Sequence, residues 1–201
     1  MNLNITKLSK AANELNKKHP QLIDDILLFG STIRGKLIPN DIDILIIFNK
    51  KVDKDVEYEF KKQISNFIPN LSLISKTRNT VKDSSFSARE SVLFEGYSLL
   101  KKEFISNKSG FSSYGFFIYN TKTLSNTNKT RFYYALNGRR ESKGIADTRD
   151  WFKISDNLIA VPLSGIENAK EFFTQWNIEY IYLPTLIPSR LAKKHIISKV
   201  R

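Results

Sequence analysis

The stretch from Leu28 to Phe48 constrains this chain more than any other. It reads Leu28-Phe29-Gly30-Ser31-Thr32-Ile33-Arg34-Gly35-Lys36-Leu37-Ile38-Pro39-Asn40-Asp41-Ile42-Asp43-Ile44-Leu45-Ile46, then Ile47 and Phe48. A short apolar strand runs into a Gly-Ser turn, and ten residues beyond Ser31 a second strand opens on Asp-Ile-Asp. Side chains alternate along a strand, so Asp41 and Asp43 share a face, roughly 7 Å apart at the backbone. Two carboxylates side by side repel each other. A purely structural Ile-rich strand has no use for such a pair, whereas a hard cation such as Mg²⁺ (or Mn²⁺) suits its oxygens. Gly30 allows close backbone approach. Ser31, with the free N–H groups of a short helix expected over 31–37, offers donors to a phosphate. A phosphate cradle facing a carboxylate pair suits metal-assisted phosphoryl or nucleotidyl transfer.

Around this segment the coarse pattern alternates helix and strand. Apolar spacing through Leu8, Ala11, Ala12 and Leu15 predicts a helix over 5–18, ended by Pro20. Strands are expected at 25–29, 41–48 and 71–75. A helix is expected over 53–67 with Asp53 as its cap, and a long helix over 86–105. The second half predicts strands at 114–119, 158–162 and 178–183, and helices at 123–137 and 166–176. Ser106 to Ser113 and Glu141 to Asp150 read as loops. These elements make two parts, 1–105 and a basic region 106–201.

With 41% apolar residues and 12% aromatics in 201 positions, the chain can bury a core. The absence of cysteine excludes a disulfide scaffold, a thiolate zinc site and a cysteine nucleophile. No apolar run approaches membrane-spanning length, and Met1 to Lys10 has no hydrophobic signal core, so no membrane association and a cytoplasmic location are expected.

The Gly30-Ser31, Arg34-Gly35 and Asp41-x-Asp43 set resembles the nucleotidyltransferase superfamily typified by DNA polymerase β, above all its small, stand-alone prokaryotic members. Asn40 departs from the serine usual before the first aspartate. Glu95-Gly96 resembles a Glu-Gly pair of many minimal members. The resemblance implies an α+β nucleotidyltransferase fold, a short mixed sheet flanked by helices, followed here by a small basic α/β C-terminal part. It implies Asp41 and Asp43 as catalytic metal ligands, and Gly30, Ser31 and Arg34 as contacts to a nucleoside triphosphate. The family pattern also has a third carboxylate on the strand after the next helix, where this chain has Ser72. Asp83 or Glu90 would have to fold back to replace it.

Net charge is +12, and it is uneven: residues 101–201 carry 17 Lys/Arg against 8 Asp/Glu, residues 1–100 carry 15 against 12. That asymmetry favours a nucleic acid, RNA or DNA, as acceptor. Lys129, Arg131, Arg139 and Arg140, interleaved with aromatics, are the candidate nucleic-acid contacts, with Phe132 and Tyr133 read as core. The bases from Arg190 to Arg201 are a candidate phosphate-binding arm. Two other readings share these residues: a catalytically impaired relative that binds nucleic acid, and an antitoxin-type enzyme that modifies a protein. Oligomeric state is open.

Overall fold

The computed structural model describes residues 5–192, in two compact units divided between Ser109 and Gly110. The tail cations Lys193, Lys194, Lys199 and Arg201, with His195, lie outside the described residues.

The first unit runs α1 (Ile5–Lys18), β1 (Ile23–Phe29), β2 (Ile42–Phe48), α2 (Lys54–Ser65), β3 (Leu71–Thr77), α3 (Arg78–Lys82), α4 (Arg89–Glu95), β4 (Tyr97–Ser98), β5 (Glu103–Phe104) and α5 (Ile105–Lys108). Its five strands form one mixed sheet in the order β3-β2-β1-β4-β5, with only the β2–β3 pair parallel. This is the mixed sheet flanked by helices that the resemblance implied. In β2 every residue but Asp43 is buried, which suits a strand paired on both sides. Leu27, Phe29, Leu45 and Ile47 turn to one face and pack with Phe86 and Val92 of the α4 region. Asp43 has the same parity, so its carboxylate emerges on the α4 side of the sheet. Asp53 caps α2 as expected, accepting from the N–H groups of Asp55 and Val56.

Two expectations fail in this unit. Residues 31–37 do not form a helix; they make consecutive tight turns, with Arg34 N–H on Gly30 O and Lys36 N–H on Ser31 O. Glycines at φ +81° (Gly30) and +90° (Gly35) bracket the turns and stop a helix from propagating. The long helix over 86–105 is also absent. α4 ends at Glu95, Gly96 N–H closes on Val92 O, and the chain goes extended to pair Tyr97 with Leu28 and Ser98 with Leu27. A Cβ on Gly96 would overlap Val92 O, so the tight exit requires glycine. The free edge of β1 takes up backbone groups that the apolar spacing alone would have left in a helix.

The second unit runs β6 (Phe111–Tyr119), α6 (Asn126–Asn137), β7 (Gly138–Arg139), β8 (Ser142–Lys143), α7 (Ile145–Thr148), β9 (Phe152–Ser155), β10 (Leu158–Pro162), a 3₁₀ turn (Leu163–Gly165), α8 (Ile166–Gln175) and β11 (Tyr180–Pro188). β11, β6, β10 and β9 form an antiparallel sheet in that order, and β7–β8 is a separate hairpin. Phe117 and Tyr119 face the helices, where they meet Phe173 and Phe132 at ring-centroid distances of 5.6 Å each. Phe132 is fully buried there, as the sequence predicts. The segments read as loops, Ser106–Ser113 and Glu141–Asp150, contain the end of α5, the start of β6, β8 and α7.

Candidate active site

The site forms where β1 and β2 end together. Phe29 lies opposite Asp43 in the antiparallel register, so the turn after β1 and the head of β2 come together by strand pairing alone. Gly30 then packs directly on the Asp43 carboxylate: a Cβ at residue 30 would overlap Asp43 Oδ2. Close approach and the left-handed φ of +81° both call for glycine here. Asp41 sits just before β2 and is exposed, while Asp43 is half-buried. The loop carrying Asp41 is tied to the start of β3, because Ile42 N–H donates to Asn70 O (2.8 Å) and Asn70 Nδ2 donates to Asn40 O (3.0 Å).

Burial pushes the Asp43 carboxyl above the ordinary aspartate range. The Asp41 charge adds to that push, while the Ser72 hydroxyl and the Arg34 guanidinium pull it back. Two hard carboxylates, one of them held where its charge is unfavourable, fit a divalent cation. The anion side fits as well. Among the described residues the Ser31 and Thr32 N–H groups take no backbone partner, and the buried Thr32 hydroxyl makes no hydrogen bond. Thr32 is thus a candidate contact that only the fold reveals.

Glu95 holds the turn in place. It is almost fully buried, accepts the Gly30 N–H (3.0 Å), and binds Arg34 Nη1 through both carboxylate oxygens (2.9 and 2.7 Å). One carboxylate at the end of α4 therefore fixes both Gly30 and Arg34, which lie 65 and 61 residues earlier in the chain. Arg34, expected at the triphosphate, has this positioning contact; Glu95 was legible only as half of the Glu-Gly pair.

The third-acid position is Ser72, which stands directly opposite Asp43 in the parallel β2–β3 register. Neither candidate replacement joins the site. Asp83 accepts the Ser85 N–H in a local turn, and Glu90 is exposed in the first turn of α4. Among the described residues no three His, Cys, Asp or Glu side chains gather as a metal cluster.

The nucleic-acid candidates lie in the second unit. Arg131, Arg139 and Arg140 are exposed and Lys129 is half-buried. Arg131 and Lys129 are on α6; Arg139 and Arg140 are in the β7–β8 hairpin.

A mixed sheet whose glycine turn lies against a carboxylate at the head of an inner strand is the build of a nucleotidyltransferase. Residues 8–96 match the family model described as a nucleotidyltransferase domain. Among solved structures, the chain is similar to a crystal structure of a toxin–antitoxin with AMP-PNP, at 22% identity over 48% of this chain and 73% of that one, TM-score 0.36. It is also similar to two mutants of the MntA–HpeT toxin–antitoxin, each at 20% identity over 48% of this chain. They are covered over 72% and 70%, with TM-scores of 0.35 and 0.33. No curated protein matches the chain. No described helix is long and apolar enough to cross a membrane.

Proposed function

We propose that this nucleotidyltransferase moves a nucleoside monophosphate from a nucleoside triphosphate to an acceptor hydroxyl, with Mg²⁺ or Mn²⁺ held by Asp41 and Asp43. The observation that carries the reading is the Gly30 turn packed on the Asp43 carboxylate, with donors at Ser31 and Thr32 left for phosphate oxygens. The cation, when bound, neutralises charge developing on the α-phosphate and the leaving pyrophosphate. Ser31 and Thr32 bind the β- and γ-phosphates, and Gly30 lets the backbone approach them. Glu95 and Arg34 keep the turn rigid, so its donors need no reorganisation during transfer. The acceptor oxygen forms a bond to the α-phosphorus, the bond to the β-phosphate oxygen breaks, and the acceptor proton leaves to solvent. Ser72 supplies no base, so slow turnover is expected.

A nucleic acid is the favoured acceptor, because the excess positive charge sits in residues 101–201 and includes Lys129, Arg131, Arg139 and Arg140. The test incubates the full chain with each α-labelled triphosphate, Mg²⁺ or Mn²⁺, and RNA, DNA or protein. Label should enter one acceptor class, and Asp41→Asn or Asp43→Asn should abolish incorporation. Triphosphate binding without transfer to any acceptor would overturn the transfer reading.

A further inference from the structure

Tyr134 breaks the pattern of the aromatic run in α6. Phe132, two residues earlier, is fully buried, yet Tyr134 remains 42% exposed. Its ring carries the Arg139 guanidinium, with Cζ 4.8 Å from the centroid. The partner comes from the β7–β8 hairpin, where Arg139 pairs with Ser142 and Gly138 with Lys143 across a two-residue turn. Gly138 (φ +84°) and Arg140 (φ +52°) are both left-handed there. Turns of this kind ordinarily take Asn or Gly at such positions. An arginine at Arg140 is the costlier choice, of the sort found where a side chain has work to do.

The surroundings are basic and unpaired. Thr127, Thr130, Arg131 and Tyr134 are the solvent face of α6 at three- and four-residue spacing, and α6 contains no acid. Among the described residues, none of Arg131, Arg139, Arg140 and Lys143 forms an ion pair; in this unit the pairs are Lys153–Asp156 and Lys170–Glu167. The carboxylates on the neighbouring hairpin and α7 are Glu141 and Asp147, both exposed.

We propose that the α6 face and the β7–β8 hairpin form a binding site for single-stranded nucleic acid, with the Tyr134–Arg139 stack as a platform for a nucleobase. A base laid on the guanidinium plane extends a stack that Tyr134 already begins. Arg131, Arg140 and Lys143 neutralise the phosphates on either side. A duplex keeps its base faces occupied by its own stacking, so it can use the charges but not the platform. This site does not depend on the transfer reading, since it uses no residue of the Gly30–Asp43 region.

The experiment is fluorescence anisotropy on the full chain without metal or triphosphate. The probes are a labelled oligonucleotide of ~15 residues as RNA, the same sequence as DNA, and the corresponding duplexes. Single strands should bind, with log K falling against log salt at a slope of about −2 for three phosphate contacts. Tyr134→Ala should weaken single-strand binding by about tenfold or more, while Tyr134→Phe stays within about twofold. Arg139→Lys keeps the charge but loses the plane; it should weaken single-strand binding with the salt slope unchanged. Duplex binding should be indifferent to Tyr134→Ala. Stronger binding of RNA than DNA would place a 2′-hydroxyl contact at the site, and equal binding would limit recognition to base faces and phosphates; both outcomes support the proposal. Full single-strand affinity in Tyr134→Ala, or no binding to any probe at low salt, overturns it. Calorimetric binding of triphosphate with Mg²⁺ in the same variants keeps this result separate from the fate of the transfer site.

Discussion

The arginines at the two candidate sites are used in opposite ways. In the first unit five cations pair with acids: Lys18 with Glu59, Arg34 with Glu95, Lys54 with Glu57, Arg78 with Asp24 and Lys101 with Asp25. Two of those acids, Asp25 and Glu95, are buried, and each also bonds to backbone or hydroxyl groups that fix β1 or the turn after it. In the second unit the arginines of α6 and the hairpin stand without acids. Exposed pairs contribute little to stability, whereas a buried acid holding an arginine is costly to remove. The buried Glu95 with Arg34 therefore shapes the turn after β1, while the arginines of α6 and the hairpin remain available for a polyanion.

Three perturbations bear on that contrast. The largest effect is expected from Glu95→Ala, which removes the buried carboxylate that accepts from Arg34 Nη1 and the Gly30 N–H. A loss of about 3 kcal/mol, read from the urea midpoint, should accompany loss of transfer. Glu95→Gln keeps an acceptor for Gly30 N–H and should lose less. A Glu95→Ala protein as stable as the parent would mean the buried pair does not organise the first unit.

Asp43→Asn is the intermediate case, with the opposite sign. Because burial raises the folded carboxyl above its unfolded value, the folded state holds this proton more tightly. That contribution is fully present below the ordinary aspartate pKa and is lost as pH rises through the raised value. At neutral pH without metal, Asp43→Asn should therefore melt slightly higher, by about 2 °C, and the gain should vanish in acid. Differential scanning calorimetry against pH checks it; a lower melting temperature at neutral pH would make Asp43 a structural hydrogen-bonding residue instead.

The smallest effect on stability belongs to Arg139→Glu with Arg140→Glu. Both side chains are exposed and without acid partners, so unfolding free energy should stay within about 0.5 kcal/mol, while the salt slope of nucleic-acid binding flattens. A large loss of stability would show that the hairpin cations are structural, as in the first unit.

Much of the catalytic half was legible in the chain itself. Apolar spacing marked α1 at the bounds the structure has, and the Asp-Ile-Asp head of an Ile-rich run marked β2, because side-chain periodicity is a local property. Gly30 was legible as a close-approach residue, though its neighbour was not: only the Phe29–Asp43 register puts the Asp43 carboxylate where a Cβ would go. Local spacing misled at 86–105, where Leu99 continues an apolar pattern but donates its N–H to Ile26 O from the turn that follows β4. Glu95 escaped for a related reason, since its bonds to Gly30 and Arg34 cross 65 and 61 residues of chain.

In the second unit the sequence determined that α6 would carry cations and aromatics together, and that Phe132 would be core. It could not determine that Tyr134 would stay outside. Neighbouring rings on a helix differ only in the direction they point, and that direction is set by what covers the helix. Tyr119, Phe172, Phe173 and Trp176 close over Phe132, while Tyr134 meets an arginine delivered by the hairpin. Residue type and spacing are written in the chain; which side of a helix is buried, and which distant carboxylate reaches a turn, are decided only when the elements pack.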